Sequence, residues 1–381
     1  MSQRNHVVDL VKAAFVVLII KVTASSSVIM PWSSLVDNLS IAFAIGVTFA
    51  KLVRLTMPLG RLLALAILSM FALYTCVSME QYDLLVTVLA IILLIDEDLE
   101  EYISLMLKIQ AWLLAAHLAG SILLSLLGDS YRFWFIANDR LRFNGGFIHS
   151  NVLSCFTQSC LLMFAWLRFR HITPNDFGWM AVVAVLTFIM SRSRTGLLLN
   201  IFTLLILILT QNENELMKKL LELAFPLLFP AQAAIIFLAQ QYYTSGNGAA
   251  HLLDTLLTGR IKYAAYGYLR SGTTLLPRHL DYAASGVVSW TPEWNLNTFT
   301  FDCLYSFLLM QMGILWIVVI SALFIWMRKK LDFRNKIFLL IWMLFSIVEI
   351  HGLNCFKFFP LLLISTLLSE KGAEDHSIPH D

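Results

Sequence analysis

Long apolar runs recur along almost the whole chain, and that repetition constrains the fold more than any other feature of the sequence. An apolar run of roughly 20 residues crosses the hydrocarbon core of a bilayer as a helix. Backbone groups left unpaired in lipid are too costly for any open alternative. Candidate helices cover 7–24, 35–53, 62–79, 81–95, 105–127, 151–168, 177–191, 195–210, 220–239, 301–326, 337–350 and 354–370, which makes twelve. Run 81–95 would be only about 22 Å long at the helical rise. Runs 177–191 and 195–210 are also short and are separated by Ser191–Arg194 alone. The expectation is therefore an all-α, polytopic integral membrane protein with 11–12 transmembrane helices and one large extracytoplasmic loop. Its parts would be a membrane bundle of about nine helices over 1–239, the loop over 240–300, C-terminal membrane helices over 301–370 and a cytoplasmic tail over 371–381.

Composition agrees. Of 381 residues, 59% are hydrophobic and 14% charged, against about 25% charged in soluble domains. So few charges cannot coat a water-soluble surface of this size, which excludes a soluble enzyme, a disordered chain and a nucleic-acid binder. The polar start, Met1 to Asp9, precedes an apolar run without an Ala-x-Ala-like cleavage site, so it reads as a retained first helix. Five cysteines stand singly, with no C-x-x-C pair. They read as small buried hydrophobes rather than a disulfide framework or a zinc site, and no cofactor or metal is expected.

Orientation follows from basic residues, which favour the cytoplasmic side. With the N-terminus inside, the cytoplasmic loops hold Lys51, Arg54 and Arg61, then Arg168 and Arg170, then Lys218 and Lys219. The last of them holds Arg328, Lys329, Lys330, Arg334 and Lys336. Both termini are then cytoplasmic. Arg132, Arg140, Arg142, Arg192, Arg194, Arg260, Lys262, Arg270 and Arg278 fall on the outer side, where topology does not call for them. Lipid headgroups or snorkelling can satisfy any one of them. A shared anionic ligand at the outer face accounts for the set.

Five short stretches carry candidate chemistry. In Arg140–Asn151, two guanidiniums precede a Gly145-Gly146 pair, which allows close backbone approach. His149 follows, able to change charge near neutral pH, and Ser150 or Asn151 is a candidate helix cap. In Ser191–Gly196, Arg192 and Arg194 offer forks of donors suited to phosphate oxygens, at the start of a helix whose N–H groups are open to an anion. The alternative is a short turn anchored by interfacial arginines. Thr258-Gly259-Arg260 lies in the 240–300 segment, with its six glycines, two prolines and several aromatics. A connection of that length is functional or disordered, and Tyr242, Tyr263, Tyr266, Tyr268, Trp290 and Trp294 favour an ordered, partly helical one. Asp302 and Tyr305 would share one helical face, with Gly313 two turns deeper. Asp302 is a partner for an outer arginine or a helix cap. Glu349 and His351 mark the last outer turn, beside Asn354 and Lys357. No internal repeat is evident, which disfavours a transporter of duplicated halves.

In order along the chain, these stretches resemble the Wzy-type bacterial polysaccharide repeat-unit polymerases, relatives of the O-antigen ligases. RFNGGFIHSN (142–151) is similar to the family's R-x-x-G-x-x-x-H-x-N signature, with Ser150 where the family commonly has proline. SRSRTG (191–196), TGR (258–260), DCLYSFLLMQMG (302–313) and VEIHGLN (348–354) match its other traits. The resemblance implies a glycosyltransferase of the bacterial inner membrane, acting at its outer face on an oligosaccharide repeat unit linked to undecaprenyl diphosphate. The carrier diphosphate would leave as an activated group, so no cofactor is implied. It assigns Arg142, Arg192, Arg194 and Arg260 to diphosphate, His149 or Glu349 to the base, and Asp302 to orienting a guanidinium or hydroxyl. Asn151, Tyr305, Arg140 and His351 would support the acceptor. Membrane lipids, a chain-length regulator and a repeat-unit flippase are the implied partners. A ligase with the same donor is the nearest alternative, and a flippase or transporter of anionic saccharide is the alternative from another class. Most spans carry almost no charge and the basic residues gather at the outer face, which favours interfacial chemistry over passage.

Overall fold

The computed structural model describes residues 2–30, 32–129, 133–137, 140–211, 214–280, 287–291, 296–298 and 301–369; side chains at 2–8, 135, 137, 140, 287–291 and 296–298 fall outside the description. The expected cytoplasmic tail, Arg132 and Trp294 also lie outside the described residues, as does the Trp290 side chain. Helices dominate: α1 Ser2–Ser25, α2 Ser34–Leu52, α3 Leu59–Met79, α4 Asp83–Leu93, α5 Leu99–Leu124, α6 Ser150–Leu167, α7 Pro174–Ser191 and α8 Arg194–Thr210. They continue as α9 Glu215–Thr244, α10 Gly248–Leu256, α11 Arg260–Ser271, α12 Leu304–Phe307, α13 Ile314–Met327 and α14 Phe333–Ser346. Among the described residues, two antiparallel hairpins interrupt this pattern. They pair β1 Trp134–Ala137 with β2 Arg140–Phe143, and β3 Val287–Thr291 with β4 Leu296–Thr298.

Six helices among the described residues are long and apolar enough to cross a membrane: Ser34–Leu52, Leu59–Met79, Leu99–Asp129, Ser150–Leu167, Pro174–Ser191 and Glu215–Thr244. Four shorter apolar helices accompany them, at Asp83–Leu93, Arg194–Thr210, Ile314–Met327 and Phe359–Leu368. The fold is all-α, with several helices able to span, as a polytopic membrane protein requires. Local sequence sets several ends. Thr173 and Asp176 form a reciprocal capping box with Pro174 at the first helical position of α7, where the missing proline N–H costs nothing. Asp98 caps α5 by accepting the N–H groups of Glu100 and Glu101.

The chain divides into two compact units, one of residues 1–62, 86–213 and 354–381, the other of 63–85 and 214–353. In the first, α1 packs against α2 and α5, and α5 to α8 follow one another. Ion pairs at its helix ends include Lys21–Asp37 at 3.2 Å and Lys51–Glu97 at 2.6 Å. Lys51 Nζ also donates to the Leu93 carbonyl at 2.7 Å. Residues 354–369 return to this unit. Phe356 meets Phe15 with ring centroids 5.3 Å apart, and the Cys355 amide donates to Thr87 Oγ1 at 2.9 Å. Gln110 donates to the Phe356 carbonyl, and Ser369 Oγ donates to Asp96 at 2.7 Å.

The second unit is built around α9, with an aromatic core of Phe225, Phe229, Tyr305, Phe324 and Trp342. Pro226 and Pro230 lie inside α9, where each removes one backbone hydrogen bond. Trp316 Nε1 donates to Thr75 Oγ1 at 2.9 Å, which ties α13 to α3.

The apolar run 301–326 is not one continuous helix. α12 passes into a single wide turn, Leu308–Met312, closed by the Gly313 amide on the Leu308 carbonyl at 2.7 Å. Gly313 then takes φ +100° and α13 starts afresh. An extended segment, 272–278, repairs the break. Thr274 N donates to Leu309 O at 3.0 Å, Arg278 N to Gln311 O at 2.9 Å, and Ile314 N to Thr274 O at 2.9 Å. Arg278, expected among the outer cations, turns its guanidinium to backbone instead: Met310 O at 3.0 Å, Ser271 O at 2.7 Å and Gly272 O at 2.9 Å. Asp302 and Tyr305 accordingly do not share a helical face, because α12 begins at Leu304. Gly313 sits at the break rather than deeper in the same helix.

A side chain at 313 would meet the Leu275 backbone, with its Cβ only 2.7 Å from the Leu275 carbonyl carbon. Gly313→Ala is therefore expected to cost at least about 1–3 kcal/mol, the scale of a side chain forced into a backbone conformation that glycine alone adopts readily. A lower melting midpoint of the detergent-purified protein would record it, and an unchanged midpoint would refute it.

Candidate functional site

Every candidate residue is placed, apart from the side chain of Arg140, whose backbone lies in β2. In the first unit, β2 pairs with β1 so that Arg142 stands opposite Phe135. The chain then turns through Asn144, Gly145 and Gly146. The Asn144 amide donates to Phe133 O at 3.0 Å, and the Gly146 amide to Asn144 Oδ1 at 3.2 Å. Gly145 and Gly146 have φ +61° and +83°, a region glycine enters without strain. The close approach they permit is to the protein's own backbone. Val28 N donates to Gly146 O at 2.9 Å and Ile148 N to Ser26 O at 3.0 Å, and a Cβ on Gly146 would stand 3.1 Å from Ile29 Cγ1.

His117 anchors this turn from below. Its Nδ1 lies 2.7 Å from the Leu113 carbonyl, its Nε2 2.8 Å from Ser27 Oγ, and its ring stacks on Phe147 at 4.7 Å. With a proton on Nδ1, Ser27 can donate to Nε2. Sequence reasoning passed over His117, although a histidine in the middle of apolar run 105–127 is itself a signal.

His149 is exposed and extended, at φ −145°, and its Nδ1 accepts the Asn151 amide at 3.1 Å. The cap of α6 is thus His149 itself, not Ser150 or Asn151. Ser150 is fully buried and Asn151 half-buried in the first turn. Arg142 is half-buried, while Arg192 and Arg194 are exposed. Arg192 adopts φ +53° as the α7 helix ends, and Ser193 caps α8 by accepting the Gly196 amide at 3.3 Å. Ser193 thus occupies one of the helix N–H groups expected to face a ligand.

In the second unit, Arg260 opens α11 behind Thr258 and Gly259, whose φ values are +58° and +91°. Asp254 braces the turn by accepting the Lys262 amide at 2.8 Å. Arg260 is only 6% exposed, as is Glu349, and its Nη2 lies 3.6 Å from Glu349 Oε1. Its other donors engage the Val348 carbonyl at 2.7 Å, the Leu257 carbonyl at 3.1 Å and Thr258 Oγ1. Glu349 follows the end of α14, with its amide on Phe345 O at 3.0 Å. His351 is half-buried in the next turn, where Trp342 Nε1 donates to Gly352 O at 2.8 Å. Asp302 is half-buried just ahead of α12. Tyr305 is fully buried; its hydroxyl donates to Gln232 Oε1, with the Met343 carbonyl 3.2 Å away as a second acceptor. Gln232 carried no weight in the sequence, although it interrupts an apolar run.

Arg260, Glu349, Asp302, Tyr305 and His351 therefore belong to one unit, and Arg142, His149, Asn151, Arg192 and Arg194 to the other. No family model, no curated protein and no solved structure matches the chain.

A buried ion pair is costly to break from one side. Glu349→Leu leaves Arg260 uncompensated and is expected to destabilise the protein by about 3–5 kcal/mol. The double variant Arg260→Met with Glu349→Leu should recover most of that loss. Melting of the purified variants decides it: equal midpoints for the single and the double variant would show that the pair does not act as a unit.

Proposed function

We propose that this protein is a membrane-embedded glycosyltransferase that polymerises oligosaccharide repeat units carried on undecaprenyl diphosphate, at the outer face of the bacterial cytoplasmic membrane. The observation that carries the proposal is the division of labour among its arginines. Arg192 and Arg194 are exposed at a helix start, the placement that suits an anionic ligand. Arg260 is buried and holds a carboxylate. Buried charge in a membrane protein is rare and is retained for function.

In this proposal an acceptor hydroxyl attacks the anomeric carbon of the growing chain. A base takes the hydroxyl proton, the new glycosidic bond forms, and the bond to the carrier diphosphate breaks with its electron pair leaving on phosphate oxygen. Arg142, Arg192 and Arg194 stabilise that charge, as preorganised donors do wherever charge develops. Glu349 is one candidate base, with Arg260 fixing its orientation. His149 is the other; its Nδ1 accepts the Asn151 amide, so the neutral ring carries its proton on Nε2 and takes up a second one only at Nδ1, by releasing that amide. Asp302 supports the acceptor side, with Asn151, Arg140 and His351. The proposal also keeps eleven or twelve crossings, both termini cytoplasmic, and a repeat-unit flippase and a chain-length regulator as partners.

The test is surface polysaccharide on a gel. Arg192→Ala and Arg194→Ala are each expected to reduce polymer output about 100-fold, the scale of losing one charge-stabilising donor. Single repeat units should then accumulate on the lipid carrier. Long chains of normal length and amount would overturn the assignment. Accumulation of long but unattached polymer would instead identify a ligase.

A further inference from the structure

The three-helix array α6–α7–α8 has a polar interior that the proposed chemistry does not use. α7 runs back between α6 and α8 through short turns, so α6 and α8 point the same way. They meet at Ser154 and Gly196: a Cβ on Gly196 would collide with Ser154 Oγ and lie 3.1 Å from Ser154 Cβ. Ser154 therefore faces α8, and Gly196 faces α6. One helical turn is close to four residues, so Ser150 and Gln158 share the Ser154 face, while Asn200 and Thr203 share the Gly196 face. Because the helices are parallel, Gln158 and Asn200 stand at the same depth, one turn below the contact. Ser150 stands one turn above it, at the level of Arg192 and Ser193.

The residues of both stripes are buried. Ser150 is 0% exposed, Gln158 1%, Asn200 4% and Ser154 4%. Yet Ser150 Oγ, Gln158 Nε2 and Asn200 Nδ2 make no hydrogen bond to the protein. Buried polar groups in proteins are nearly always satisfied, and surrounding hydrocarbon offers no water to serve instead. Three orphaned groups on two facing stripes therefore point to an absent partner. The chemistry of the set narrows its identity. Amide N–H groups and hydroxyls, with no charged side chain on either stripe, suit a neutral oxygen that accepts and donates hydrogen bonds. The upper end of the seam lies beside exposed His149, Arg192 and Arg194.

We propose that the face shared by α6 and α8 is a polar binding seam for hydroxyl oxygens, supplied by water or by a saccharide; the saccharide source rests on the function proposed above. Ser150 and Ser193 form its entrance, and Gln158 and Asn200 its floor.

The experiment places single cysteines at Ser150 and Asn200 in a full-length protein whose five native cysteines are replaced by alanine. Right-side-out membranes are treated with a small, charged, membrane-impermeant methanethiosulfonate. Both sites are expected to label to completion while Leu198→Cys and Ile201→Cys, exposed on the outer flank of α8, stay unlabelled. Labelling is then compared between cells that make lipid-linked repeat units and cells blocked in the first sugar transfer to the carrier. Protection in the first group alone identifies a saccharide occupant, and equal labelling identifies water. Failure of both sites to label overturns the seam, whatever the polymer gel shows. Size-exclusion profiles verify folding, and Gln158→Cys or Thr203→Cys replaces any variant that aggregates.

Discussion

In lipid, a peptide group without a hydrogen-bond partner has nowhere to turn, and the second unit shows how much of the structure answers to that constraint. The chain stops being helical at Gly313 in the middle of an apolar run. Left alone, that break would strand carbonyls of the 308–312 turn and amides of the next helix. Segment 272–278 lies alongside and supplies partners on both sides of the gap. Arg278 adds its guanidinium to the last carbonyls of α11 and to Met310 O. A residue that looks from its position like a ligand-binding cation is consumed in completing backbone. The same accounting explains the Gly145-Gly146 turn, whose amides and carbonyls close on residues 26–28 and on Asn144.

Charge is used in two distinct ways. Lys51, Lys336 and Arg260 are buried and each lies near a carboxylate, at Glu97, Glu222 and Glu349. Arg192 and Arg194 remain at the surface. A buried pair contributes little net stability, because desolvation offsets its attraction. What it contributes is placement: Arg260 reaches Glu349 and three other acceptors at once, so the end of α14 and the start of α11 have one arrangement that satisfies all of them.

Much of the helix layout was legible in the sequence, because a span is long and uniformly apolar. Runs 35–53, 62–79, 151–168, 177–191 and 195–210 reappear with ends shifted by at most a few residues. Capping residues at Ser33, Thr173 and Ser193 account for several of the shifts. The break at Gly313 was not legible. Apolar content is the same whether a helix continues or stops, and the partner that makes stopping tolerable lies some forty residues earlier, at 272–278. For the candidate site, residue type marked Arg260 and Glu349 as worth attention but could not pair them, since 88 positions separate Arg260 from Val348. His117 and Gln232 were missed because neither belongs to a motif. Only their isolation within apolar runs distinguished them.

The route of the chain through the first unit has a temporal consequence. Phe15, Thr87 and Gln110 are synthesised early, yet the residues that complete their surroundings are Cys355 and Phe356. Between them the ribosome must deliver the whole of the second unit's main segment, 214–353. The part of the protein inserted first is thus the part finished last. Until the final apolar segment arrives, the nascent bundle carries an open slot lined by aromatic and polar side chains. A stop codon before residue 354 would leave that slot unfilled and so damage the beginning of the molecule rather than its end.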